Sequence, residues 1–161
     1  MVQRSRTSKG FTIIELLVVM AVLGVLAAAI MPLGEALLRA QKERELKQAL
    51  WQIRTAIDDY KRAVDRGNVR LSSGETGYPS SLKVLESGVA DGRPSMAGQS
   101  MYFLRQIPRD PFAAPELPAE ATWRLRSYAS SPDRPAPGAD VFDVRSSSDD
   151  LAMDGTPYAK W

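Results

Sequence analysis

Among the side chains that could do chemistry, Glu15 stands apart, because it is the only ionisable residue in the apolar run of residues 11–33, FTIIELLVVMAVLGVLAAAIMPL. A carboxylate inside such a run is costly, so it marks a functional position whose partner has to be found. The other carboxylate pairing in a helical context, Asp58–Asp59, is adjacent in sequence and therefore divergent on a helix, which reads as a solvated face. The chain has no histidine and no cysteine. That removes the usual general base, the Ser-His-Asp and Cys-His arrangements, imidazole and thiolate metal sites, and any disulfide framework. No catalytic constellation remains, and the composition argues against an enzyme.

The segment that positions Glu15 is about as long as the ~20 helical residues needed to cross a bilayer core. It follows a hydrophilic stretch, MVQRSRTSKG, whose Arg4, Arg6 and Lys9 are accompanied by no acidic residue. Positive charge at this end predicts a cytoplasmic N-terminus, with the C-terminal body across the membrane. Two readings follow from these residues alone. One is a plain signal anchor, with Glu15 snorkelling to the interface. The other is a secretory signal peptide cut after Ala27-Ala28-Ala29, against which stand the length of the run and the carboxylate at its head. The formal charge of the 161-residue chain is +2, with a pI near 9.0. Without the three leader cations the remainder has 18 basic and 19 acidic residues, so the basic pI carries no nucleic-acid signal.

Gly24 and Pro32 interrupt the apolar run, and a proline in a helix interior removes a hydrogen bond and clashes with the preceding turn. Beyond them no Gly or Pro occurs from Glu35 to Arg66, and strong helix formers dominate. Up to Lys47 the helix is charged on most sides. From there Leu46, Leu50, Ile53, Ile57, Tyr60 and Val64 alternate in steps of four and three, which predicts one buried helical face. Gly67-Asn68 is a stop signal. One helix of about 50 residues, ~80 Å at 1.5 Å per residue, is expected to span the membrane and continue into a domain.

Residues 67–120 are dense in Gly and Pro and predict loops with short helices. Ser80 or Ser81 could cap a turn carrying Leu82 and Leu85, and residues 101–107 predict a second short helix ended by Pro108. Residues 122–128 and 141–145 read as strands, Asp154-Gly155 as a turn, and residues 158–161 as a strand closing a small antiparallel sheet. The fold class is α+β, with the sheet packed on the second half of a long N-terminal helix.

The stretch Lys9-Gly10-Phe11-Thr12-Ile13-Ile14-Glu15-Leu16 resembles the class III signal of type IV pilins and type II secretion pseudopilins. The resemblance implies a leader at residues 1–10, a transmembrane and filament-core helix at 11–33, a helical stalk at 34–66 and a periplasmic head at 67–161. It also implies that a prepilin peptidase cuts between Gly10 and Phe11 and methylates the new amine of Phe11. Gly10 suits a protease that must approach the backbone closely. Glu15 would then pair with the Phe11 ammonium of a neighbouring subunit and set its axial register. Gly24 and Pro32 would bound a segment that loosens when the subunit leaves the membrane.

Further along, Gly77-Tyr78-Pro79 with Leu82 and Leu85 is similar to the G-type major pseudopilin. So are Ile107-Pro108-Arg109-Asp110-Pro111-Phe112 and the ending from Val141 through Asp154-Gly155 to Trp161. In that family the C-terminal loop often holds calcium, for which Ser148, Asp149, Asp150 and Asp154 are oxygen donors of the right type; turn-forming Asp and Ser that bond the local backbone are the alternative. The expected function is a pseudopilin, single-pass in the inner membrane with a periplasmic head. Its partners would be its own copies, other pseudopilins, the prepilin peptidase and the inner-membrane assembly platform. Alternatives are a type IV pilin for adhesion or motility, a minor tip pseudopilin, or a signal-anchored periplasmic binding module.

Overall fold

The computed structural model describes residues 10–161, the side chains of residues 29–32 excepted. The expected leader, with Arg4, Arg6 and Lys9, therefore lies almost wholly outside the described residues. Helix α1 runs Ile13–Asp65 and continues through positions 24 and 32. By internal contacts the chain divides into units Met1–Arg39 and Ala40–Trp161.

In the first unit the large apolar side chains of residues 11–26 are each more than half exposed, from 53% at Val19 to 84% at Phe11. By length and composition the helix is long and apolar enough to cross a membrane.

The second unit is built on the predicted stripe. Leu46, Leu50, Ile53, Ile57, Tyr60 and Val64 are all buried, as the four-and-three spacing requires. The helix stops at a glycine cap. Gly67 takes φ +73°, its amide donates to the Val64 carbonyl, and the Asn68 amide donates to the Ala63 carbonyl. This pair of bonds satisfies carbonyls that the helix end would otherwise leave open. Against the stripe pack Leu82 and Leu85 of α2 (Leu82–Ser87), together with Ile107, Trp123, Val141, Val144 and Tyr158. Ser81 takes the N-cap position of α2 with extended backbone, but its side chain makes no capping bond.

Two small antiparallel pairs complete the unit: β1 (Val89–Ala90) with β2 (Ser100–Met101), and β3 (Trp123–Arg126) with β4 (Asp143–Ser146). The expected helix at residues 101–107 is not formed. Ser100 and Met101 pair with β1, and the Phe103 and Leu104 amides both donate to the Leu85 carbonyl. These bonds at the end of α2 take the place of a local helical ladder. Residues 158–161 are likewise not a strand: Tyr158–Lys160 is a 3₁₀ turn. The Tyr158 ring, fully buried, stacks on Phe112 with centroids 4.2 Å apart. The Asp154-Gly155 turn forms as expected, with Gly155 at φ +83°.

Two buried carboxylates knit the loops to this frame. Asp110 is 1% exposed. Its Oδ1 accepts the Phe112 amide at 2.8 Å, and its Oδ2 accepts the Ser146 hydroxyl at 2.6 Å and the Ser147 amide at 3.1 Å. Asp140 accepts the Thr76 hydroxyl on one oxygen, and the Ser127 hydroxyl and Tyr128 amide on the other. Burial alone would push the Asp140 carboxyl up, but these three donors outweigh it and hold it below the ordinary 3.8. Hydrogen bonds from Arg93 bring Asp91 down to about 2. Groups depressed in this way contribute stability above the unfolded carboxylate pKa and lose it as pH falls through the folded value. The chain is expected to lose stability as pH drops below about 4, with a shallower loss in Asp140→Asn. Denaturant melts across pH 2.5–7 check this, and equal slopes for the two proteins would refute it.

Candidate assembly site at the helix start and the C-terminal loop

The start of α1 is organised around Glu15. Thr12 is the residue before the first helical position, and its carbonyl accepts the Leu16 amide at 3.2 Å. The Thr12 hydroxyl accepts the Glu15 amide at 3.3 Å, while Glu15 Oε2 accepts the Thr12 amide at 2.9 Å and the Thr12 hydroxyl at 3.0 Å. This reciprocal pairing is a capping box, which satisfies two amides that open the helix. A carboxylate in the first turn also faces the positive end of the helix dipole. Glu15 thus has a partner within its own chain, one that the expectation of a neighbour's ammonium did not include. The signal was present as Thr-x-x-Glu ahead of an apolar run.

Gly10 and Phe11 are exposed. A Cβ built on Gly10 meets nothing within 4 Å, and the same holds for Gly24. Neither glycine avoids a clash with any of the described residues. The backbone at Pro32 is helical, and its side chain lies outside the described residues.

The C-terminal loop is held by protein groups. Arg124 donates to both oxygens of Asp149, at 2.6 and 2.9 Å, and holds that carboxyl below its ordinary value. The Ser148 hydroxyl donates to Asp150 at 3.1 Å, and Asp154 accepts the Thr156 amide at 2.8 Å. Among the described residues no group of three or more Asp, Glu, His or Cys gathers to hold a metal. Each of these carboxylates has a protein partner: a guanidinium takes Asp149, and local hydroxyl or backbone donors take Asp150 and Asp154.

Sequence reasoning also missed two residues of α1. Glu43, one of the charged residues before Lys47, accepts the Met153 amide at 2.8 Å and the Tyr158 hydroxyl at 3.0 Å. Arg54 donates from Nε to Asp143 at 2.8 Å, and from Nη2 to the Val144 and Trp161 main-chain oxygens at 3.0 and 2.7 Å. Asp58 and Asp59 are exposed as expected, Asp59 pairing with Arg62.

Removing the cap is expected to loosen the first turn. In Thr12→Val the Glu15 amide loses its acceptor, at a cost of ~1 kcal/mol. Its hydrogen exchange in detergent micelles should quicken about fivefold; unchanged exchange would show that the box contributes nothing.

Residues 5–31 match the family model of the prokaryotic N-terminal methylation motif. No curated protein and no solved structure matches the chain. The matched residues contain Gly10, Phe11, Thr12 and Glu15. They point to a structural subunit rather than an enzyme, and to processing by a prepilin peptidase and polymerisation with pilins. The motif and the apolar helix that carries it place their support with the type IV pilin and pseudopilin family.

Proposed function

We propose that this chain is a pseudopilin of a type II secretion system, cut between Gly10 and Phe11 and N-methylated on Phe11. Subunits polymerise into a periplasmic filament that drives protein export. The observation that carries this reading is the methylation motif lying over an apolar helix whose large side chains at residues 11–26 are each more than half exposed. In the bilayer lipid covers that surface, and in the filament neighbouring helices do. Cleavage creates an ammonium at Phe11, and Glu15 of an adjacent subunit neutralises it. The Thr12 box holds the carboxylate until that partner arrives. Gly24 and Pro32 mark the part of the helix that loosens on leaving the membrane. The order of Gly77-Tyr78-Pro79, Ile107-Pro108-Arg109-Asp110-Pro111-Phe112 and the C-terminal segment is the resemblance that supports a G-like subunit in this reading.

Mass spectrometry of the mature protein is expected to find methylated Phe11 as the first residue; an intact Met1 or a start near residue 30 would end the proposal. Glu15→Leu should still insert in the membrane while filaments disappear and export stops. Normal filaments from that variant would remove Glu15 from assembly, and filaments with unimpaired export in a deletion strain would favour a pilin.

The last loop, in this reading, closes on Arg124, Arg54 and Glu43 in place of a divalent cation. The melting temperature should be the same in EGTA and in millimolar calcium, and Arg124→Ala should lower it in both. A rise with calcium in the wild-type chain would restore the metal site.

A further inference from the structure

The register of the second sheet places charges where they do not cancel. Arg124 lies directly opposite Arg145, and Arg126 opposite Asp143. Residues two apart on a strand share a face, so these four side chains stand on the face away from buried Trp123, Val144 and Ser146. Like charges directly opposite each other are destabilising. Arg124 pairs with Asp149, and Arg145 acts on the same carboxylate without an ion pair of its own among the described residues. Asp143 Oδ1 already accepts Arg54 Nε and the Val144 amide, both at 2.8 Å.

The consequence shows in two atoms. Arg126 Nε and Arg145 Nε are buried and have no hydrogen-bond partner among the described residues. A buried donor left unmade is expensive, and more so on a charged group. Both arginines line a cavity of about 510 Å³, together with Arg54, Lys160, Asp133 and Asp143. Four cations against two carboxylates leave the lining positive. The Arg126 guanidinium lies over the Phe142 ring, 5.0 Å from its centroid. Such stacking uses the guanidinium face and leaves its N–H edge for an acceptor.

We propose that this cavity is an oxyanion site, in which the Arg126 and Arg145 side chains turn to bring their buried, unpaired Nε–H donors onto a carboxylate or phosphate group. Planar, forked donors suit either group. The oxyanion is a free anion or an acidic side chain of a second copy of this chain, and the test separates the two sources. In the full chain held in nonionic detergent, the arginine Nε–H resonances are followed by ¹⁵N NMR. Inorganic phosphate and succinate are titrated separately against chloride of matched ionic strength.

Saturable shifts at Arg126 and Arg145, with Arg54 and Arg124 unmoved, support a free oxyanion. Shifts that appear only as protein concentration rises, with no anion added, assign the carboxylate to a second copy. Shifts that chloride reproduces, or none in any arm, overturn the proposal. Arg126→Gln combined with Arg145→Gln should weaken whichever binding is seen at least about tenfold, the equivalent of 1.4 kcal/mol.

Discussion

Along residues 11–26 the large apolar side chains of α1 are each more than half exposed, and each Leu, Val or Ile moved from water to an apolar setting is worth ~1.5–3 kcal/mol. That demand dominates whatever the first unit can do. Helical backbone is the economical way to meet it, since every amide and carbonyl is then bonded within the segment. The exceptions are the opening amides, and there the chain supplies Thr12 and Glu15. The same carboxylate that caps the helix is the only charge in the apolar run. In the proposed function capping and assembly share one group, and a partner's ammonium would compete with bonds already made.

The second unit answers a different problem. Its core is contributed by the stripe from Leu46 to Val64 and by loops with little regular structure, as the two-strand sheets show. Loops of that kind need side-chain bonds to hold their course. Asp110 and Asp140 provide them from the inside, each accepting from three donors. Arg54 and Glu43 provide them from α1, gripping β4 and the last turn. The helix is thus both a wall of the core and the anchor for the chain's end.

Legibility in the sequence followed the range of the interactions involved. The stripe, the Gly67 stop and the Asp154-Gly155 turn were readable because each depends on neighbours within one turn of chain. The capping box was equally local and equally readable, since Thr12 and Glu15 lie three residues apart. Residues 101–107 and 158–161 went the other way. Their local patterns suit a helix and a strand, yet bonds to Leu85 and stacking against Phe112 override them.

By itself the sequence determined the apolar span, the lone carboxylate at its head, the methylation motif and the buried helical face, since all are patterns of residue type at fixed spacing. Only the tertiary structure decided the fate of the charges. Arg124 lies 25 positions from Asp149, and Arg54 lies 89 from Asp143. Which carboxylate meets which guanidinium, and which arginines are left over, depends on strand register. A shift of one residue there would turn Arg126 and Arg145 to the opposite face.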